Sequence, residues 1–589
     1  MKIIYSFMES TLDKLKLIET LVRIPLYSVI GYTQGKLVYS SNVEGIEELW
    51  ALDLDTNETI RLTKGGVYVV ASLRATSPLV IYTRDVSKGK ELHQVFYTDV
   101  YGKEEFKFEK LKPRRIWGIE FDGNLIGVSS ASEKAIELWV LKPDGEVEKV
   151  YETNAIISVT DIGYGKIVGG GIIKGDPKAY ELFVYDLKSS EFRVYTPKEG
   201  SVNKNPRIWR DKILFATTAF GDEKLVIYNL YKDKLEDPVF TYDDYRKYQF
   251  TEYVDYDWTP EGKIWFIGKK DGRTRAFIDG KEIPLPEGVV SSLTIVREKV
   301  YATYTSLSRP HSVYEVSMRT REQRLVLGAQ LPDEIANRLG KSYLVRYKSF
   351  DNLEIPTFVI ESKIAPKPGP TVIYVHGGPW AEVMDRWSMF IASLVISGYH
   401  VVAPNFRGST GYGEEFRRMD IGDPGGGDLL DVIHAAKWAK ESGLASKLAI
   451  TGYSYGGYMT FLATVKHPEV WDVGVAGAGI VNWEEMYGLS DALFRRFIEV
   501  LFAGKKELWK ERSPITYIEN LKVPLCIVHP QNDTRTPLKP ILHFVEKLLE
   551  LGKTFELHVT PDMGHAIIKV DDIFKVLLPT ILFLDRHMK

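Results

Sequence analysis

The stretch Leu448-Ala449-Ile450-Thr451-Gly452-Tyr453-Ser454-Tyr455-Gly456-Gly457-Tyr458-Met459-Thr460-Phe461-Leu462 decides how this chain is read. It opens as a short apolar strand, Leu448 to Ile450, and closes as a helix-compatible run from Tyr458. Between them lies Gly452-x-Ser454-x-Gly456. A strand that turns directly into a helix leaves no room for side chains two residues before and two after the turning residue, hence the glycines. The serine at the centre is lifted out of the sheet, where its hydroxyl can act as a nucleophile.

A serine hydroxyl needs a neighbouring base. His565, in Pro561-Asp562-Met563-Gly564-His565, directly follows the strand-like run Phe555 to Thr560 and is the expected base. The carboxylate that orients it should fall between serine and histidine in chain order. Asp533 does, at the end of His529-Pro530-Gln531-Asn532-Asp533 after the strand Leu525 to Val528. Asp562 is the rival, three residues before His565. An oxyanion formed on Ser454 needs two fixed N–H donors. The amide of Tyr455 is one, and the loop His376-Gly377-Gly378-Pro379 after the strand Thr371 to Val375 offers the other.

Outward from these residues, apolar strands and amphipathic helices alternate from about residue 329 to 589. A helix is expected at Met389 to Ser397, a strand at His400 to Pro404 and a helix at Leu429 to Lys440. That alternation predicts an α/β-hydrolase domain, a mixed, mostly parallel sheet wrapped by helices.

Residues 26–328 read differently. Glu48-Leu49-Trp50-Ala51-Leu52-Asp53-Leu54 is echoed by Glu137-Leu138-Trp139-Val140-Leu141 and by Glu181-Leu182-Phe183-Val184-Tyr185-Asp186-Leu187. Weaker copies begin at Val95, Leu225 and Val313. A spacing of roughly 43 to 46 residues through the first five is that of one four-stranded blade, so about 300 residues predict a seven-bladed β-propeller. An irregular β-sandwich pair is the alternative. Before it, residues 1–25 predict a helix: Leu12, Leu15, Ile18 and Val22 share a face, Ser10 or Thr11 can cap it, and Pro25 closes it.

The 589 residues require more than one core. With 76 basic and 79 acidic side chains the net charge is -3, which gives no general attraction to nucleic acid or to an anionic membrane. No run approaches the roughly 20 apolar residues of a membrane span. Glu9 and Asp13 follow too soon for a signal peptide, so a cytoplasmic protein is expected. The single cysteine, Cys526, lies in an apolar strand and is expected to be buried and inert.

Five strings in order resemble the prolyl oligopeptidase family, and most closely its acylaminoacyl-peptidase branch: HGGP (376–379), NFRGSTGYGEEF (405–416), GYSYGGYMT (452–460), HPQNDTRTP (529–537) and PDMGHA (561–566). The resemblance implies an N-terminal helix packed on the hydrolase domain and a propeller that admits only short peptides. It implies release of an N-acylated residue from short N-acylated peptides, cleavage of simple esters, and no metal or organic cofactor. It implies Gly378 and Tyr455 as the oxyanion pair, and Ile480, Trp483, Phe497, Ile498 and Leu501 as an apolar pocket, for which ordinary core packing is the alternative. Arg535 also matches the branch. Arg115 is placed to reach substrate from the propeller, or else is a solvated basic turn.

Two other functions stay open. A free-amine dipeptidyl- or aminopeptidase of the same family would need paired glutamates, and Glu47-Glu48 and Glu104-Glu105 are adjacent pairs. A non-catalytic propeller scaffold is the alternative from another class. Assembly into a homo-oligomer is left open as well.

Overall fold

The computed structural model describes residues 2–588, with side chains from residue 11 onward. The first helix spans Lys2–Val22, so Ser10 and Thr11 fall inside it rather than at its cap. The Ser10 side chain lies outside the described residues. Leu12 faces solvent, and the buried face is Leu17, Ile18, Leu21 and Val22 with Ile24 beyond. These pack against Trp387, Leu394 and Phe583 of the C-terminal domain, so the helix belongs to that core although a propeller separates the two in sequence.

Residues 27–327 form a seven-bladed propeller: six sheets of four antiparallel strands and one of three, each built from consecutive strands. In the three-stranded blade, a bridge from Val70 to Tyr82 stands where the innermost strand would be. Where the repeated motif of the sequence occurs, it falls on the same strand of its blade, among them Glu48–Asp53, Ile136–Leu141, Glu181–Asp186 and Lys224–Asn229. That strand is sandwiched inside its blade, which is why its aromatic and branched residues recur. The first blade takes all four strands from one stretch, so no exchanged strand fastens the ring. Instead Val29, Leu37 and Tyr39 pack against Val296, Tyr301 and Val313 of the last blade. The Val29 amide donates to Thr303 Oγ1 at 2.8 Å, and the Ser292 hydroxyl donates to the Val29 carbonyl at 2.9 Å.

The C-terminal domain carries one eight-stranded sheet. Its strands are β1 (Leu339–Lys348), β2 (Glu354–Ser362), β3 (Gly369–Val375), β4 (His400–Pro404), β5 (Ala445–Tyr453), β6 (Val473–Gly477), β7 (Leu525–Pro530) and β8 (Phe555–Thr560). They lie in the order β1-β2-β4-β3-β5-β6-β7-β8. The pairs β1–β2 and β2–β4 are antiparallel and all the others parallel. One face is covered by helices Gly427–Glu441, Tyr455–Lys466 and Leu538–Glu550, the other by Met389–Ile396, Val570–Met588 and the N-terminal helix. The carboxyl ends of the parallel strands all point one way, and the loops leaving them carry the residues singled out in the sequence.

Leu21 is fully buried in this shared core. Leu21→Ala is therefore expected to destabilise the C-terminal domain by about 2–5 kcal/mol, read as an earlier transition of that domain in urea. An unchanged transition would mean that the helix docks without supporting it.

Candidate active site

The turn at Ser454 is as tight as its glycines imply. Ser454 has φ 62° and ψ −121°, a conformation that costs a non-glycine residue about 1–3 kcal/mol. It is held from both sides: its amide donates to the Gly477 carbonyl and its own carbonyl accepts the Tyr458 amide, each at 2.9 Å. A β-carbon on Gly452 or Gly456 would collide with the Val375 carbonyl oxygen, and one on Gly457 with the Gly477 oxygen. Any side chain at these positions would force the strand ends apart.

His565 stands against this serine, its Nε2 2.9 Å from Ser454 Oγ and its Nδ1 2.7 Å from Asp533 Oδ2. The Asp533 side chain is fully buried. Its Oδ1 accepts the amides of Arg535 at 2.9 Å and Thr536 at 2.8 Å. Burial alone would push this carboxyl up, but the His565 imidazole and its hydrogen bond, with the further bonds, outweigh burial and hold it below its usual value. Asp533 is thus ionised at neutral pH and fixes the proton on Nδ1, leaving the Nε2 lone pair toward the serine. The rival Asp562 is exposed and pairs with Lys88 at 3.2 Å.

Gly378 has φ +125° and follows a loop held by His376. Burial pushes the His376 imidazole down to about 4, so the ring is neutral. Its Nδ1–H therefore donates to the Gly377 carbonyl at 2.7 Å, and its Nε2 accepts the Ser409 hydroxyl at 2.8 Å. The same ring stacks on Phe406, 4.3 Å between centroids. Among the described residues the amides of Gly378 and Tyr455 meet no acceptor, so both are free to donate to a ligand. His376, Phe406 and Ser409 support this loop, yet sequence reasoning gave them no role of their own. Their only signal was membership of the motifs.

The five expected pocket residues divide. Trp483, Ile498 and Leu501 are fully buried and Ile480 nearly so, in the cluster that holds Tyr455 and Tyr458. Phe497 alone is half-buried, its ring 5.5 Å from that of Trp380. Phe497 and Trp380 thus offer apolar surface, and the other four back it.

Arg115 differs from its expectation. It is neither solvated nor free for a substrate, because all three guanidinium nitrogens are engaged. Nε donates to Asp491 at 2.6 Å, Nη2 to Thr534 Oγ1 at 2.8 Å, and Nη1 pairs with Glu91. Arg535 grips the same Glu91 from the hydrolase side, with Nε 2.9 Å from Oε2, and donates to the Tyr68 hydroxyl at 2.7 Å. Glu91, on the propeller, is buried between the two guanidiniums and was not singled out in the sequence. Burial would raise its carboxyl, but the two arginines and Tyr68 overcome this and hold it far below its ordinary value.

Cys526, Glu556 and His558 are the set, among the described residues, whose donor atoms lie within 4.8 Å of one another. Arg586 already neutralises Glu556, and burial raises the Cys526 thiol, so the set is poorly suited to a cation. Among the described residues no helix is long and apolar enough to cross a membrane.

Residues 38–314 match the family described as "Acylamino-acid-releasing enzyme-like, N-terminal domain", and residues 386–589 match "Prolyl oligopeptidase family". Dipeptidyl aminopeptidase BIII of Pseudoxanthomonas mexicana is 32% identical over 270 residues, 44% of this chain and 38% of that protein. The acylamino-acid-releasing enzyme of Homo sapiens is 29% identical over 230 residues, 37% of this chain and 31% of that one. The matched part thus spans well under two thirds of either relative. Among solved structures, the acylaminoacyl peptidase of Pyrococcus horikoshii shares the fold with TM-score 0.71 over 97% of both chains at 18% identity. A puromycin-hydrolyzing peptidase of Mycobacterium tuberculosis does so with TM-score 0.81 at 16% identity, over 97% of this chain and 96% of that one.

A carboxylate whose value is depressed on folding stabilises fully above its unfolded value, about 4.3 for Glu. That support fades progressively as pH falls from the unfolded value toward the lower folded one. The gap in melting temperature between the wild type and Glu91→Gln is expected to be constant from pH 6 to 8 and to narrow below about pH 4.3. Thermal melts of both proteins across that range check it.

Proposed function

The chain belongs to the prolyl oligopeptidase family, and from that premise we propose that it is a serine peptidase releasing an N-acylated amino acid from the end of short blocked peptides, with esterase activity at the same site. The observation that carries the hydrolase reading is the alignment of Ser454, His565 and Asp533 at 2.9 and 2.7 Å. Ser454 Oγ attacks the carbonyl carbon of the acylated residue while His565 Nε2 takes the hydroxyl proton. The carbonyl oxygen becomes an oxyanion held by the Gly378 and Tyr455 amides, each contributing about 2.7–4 kcal/mol. The carbon–nitrogen bond breaks as His565 returns the proton to the leaving amine. A water then attacks the acyl-enzyme with His565 as base, freeing the acylated amino acid and restoring Ser454.

The acyl preference is supported by the state of the carboxylates. Recognition of a free α-ammonium needs an acidic group at the site that is not already neutralised. Glu91, the acidic side chain beside the triad loop, is held by Arg115 and Arg535. Of the adjacent pairs, Glu48 is bonded to Arg61 and Thr63, and Glu105 to Arg84 and Tyr82, all within the propeller. The apolar surface of Trp380 and Phe497 suits a large hydrophobic side chain. A cytoplasmic setting belongs to this reading, in keeping with one buried thiol. The second reading, a free-amine peptidase, draws on the name of the Pseudoxanthomonas relative.

The test compares kcat/KM for the N-acetylated and free-amine forms of one hydrophobic aminoacyl p-nitroanilide. At least a tenfold advantage for the acetylated form is expected, and an advantage for the free amine would transfer the assignment to the second reading. Ser454→Ala should abolish both turnover and covalent labelling by a fluorophosphonate. A wild type that does not label would point to a non-catalytic scaffold.

A further inference from the structure

Behind the oxyanion hole lie two buried carboxyls that take no part in the proton transfers. Asp428, in the first turn of helix Gly427–Glu441, is 1% exposed. Its Oδ2 accepts the Tyr455 hydroxyl at 2.5 Å and the Gly425 amide at 3.2 Å, and its Oδ1 accepts the Leu429 amide at 2.8 Å. Asp420, also 1% exposed, accepts the Trp380 indole N–H on Oδ1 at 3.0 Å. Its Oδ2 has no partner among the described residues, and the Arg417 guanidinium lies 5.5 Å from the Trp380 ring. The two are close enough for the charge of Asp428 to act on Asp420.

We infer that Asp428 and Asp420 are positioning residues that lock the two halves of the oxyanion hole to each other, Asp428 through the Tyr455 hydroxyl and Asp420 through the Trp380 indole. Tyr455 presents one donor on its own backbone, so fixing its phenol fixes the direction of its amide. Trp380 follows Gly378, the other donor, by two residues, so anchoring its indole anchors that loop. Phe406 fills the space between, stacked on His376 at 4.3 Å and on Tyr455 at 6.2 Å. Hydrogen bonds to a developing oxyanion depend steeply on distance and angle, so a small rotation of either donor would weaken them. A buried carboxyl costs stability relative to an apolar group of the same volume, so packing alone does not explain either of these two. The titration of the pair fits this arrangement. Burial raises both, Asp428 to about 6 and Asp420 well above its ordinary value, where the charge of Asp428 adds to the effect of burial.

The inference rests on the serine-peptidase reading, and the experiment separates the two. Wild type, Asp428→Ala, Asp428→Asn, Asp420→Ala and Tyr455→Phe are compared for fluorophosphonate labelling, melting temperature, kcat and KM on the N-acetylated p-nitroanilide. In Asp428→Ala, Asp420→Ala and Tyr455→Phe, kcat should fall at least tenfold with KM within about twofold. Asp428→Asn should recover part of kcat, because the carboxamide oxygen still accepts the phenol. If Asp428→Ala does not fold, Tyr455→Phe carries the test, since it removes one hydroxyl and keeps the ring. A folded Tyr455→Phe with unchanged kcat overturns the inference, as does a loss confined to KM. A wild type that fails to label overturns the serine-peptidase reading itself, and this inference with it.

Discussion

Everything at this site is registered to the backbone crowding around one carbonyl, that of Val375. It occupies the space where side chains on Gly452 and Gly456 would be, so the end of β3 rests directly on the turn that carries Ser454. The loop leaving β3 brings His376 and Gly378, and the turn brings Ser454 and Tyr455. Nucleophile and oxyanion donors are therefore set against each other by contact between main chains, which cannot relax by changing a rotamer. The left-handed Ser454 is the strain that accompanies this contact, and the bonds to Gly477 and Tyr458 keep it in place.

The other half of the triad is positioned from outside the domain that contains it. The turn of the propeller around residues 85–91 touches both remaining loops. Gly89 lies so close to Gly564 that neither could carry a β-carbon, which presses the propeller onto the residue before His565. On the Asp533 loop, Asn532 donates to the Lys88 carbonyl at 2.8 Å, and Arg535 holds Glu91. Removing one partner of such a buried ion pair leaves the other charge stranded, a larger penalty than the pair's own net contribution. The propeller thus fixes the histidine and aspartate loops as well as covering them, and domain separation and triad geometry are one question in this molecule.

How far the sequence revealed this depends on the range of the interaction. The elbow, the strands before Asp533 and His565, and the third strand of most blades are local patterns, and the residue types alone carry them. The sixth blade lacks the repeated pattern because its strand, Arg273–Ile278, reads Arg-Thr-Arg-Ala-Phe-Ile and puts charge where the others put apolar residues. The cap expected at Ser10 or Thr11 falls inside the first helix, Lys2–Val22, and nothing local says that its buried face will be Leu17, Ile18, Leu21 and Val22, against a domain some 300 residues on. The engagement of Arg115 has no local signal because its partners Glu91, Asp491 and Thr534 lie on loops 24 to 419 residues away in sequence. Glu91 itself had no local signal at all.

Three aspartates meet burial of the same degree around this site, and their neighbours send them different ways. Asp533 faces an imidazole that becomes cationic during the reaction, so its negative charge is matched when it is needed. Asp428 bonds a phenol and two amides and ionises below neutrality, its charge stabilised by donors that do not move. Asp420 has one indole donor and a like-charged neighbour, and burial and that neighbour raise its carboxyl well above the ordinary value. That last outcome matters for the chemistry. A second free negative charge behind Tyr455 and Trp380 would oppose the oxyanion forming in front of them, in a region too dry to screen it. Raising the Asp420 carboxyl favours its protonated form, which still accepts the indole hydrogen bond without adding that charge. The burial that raises Asp420 thus works with the oxyanion rather than against it.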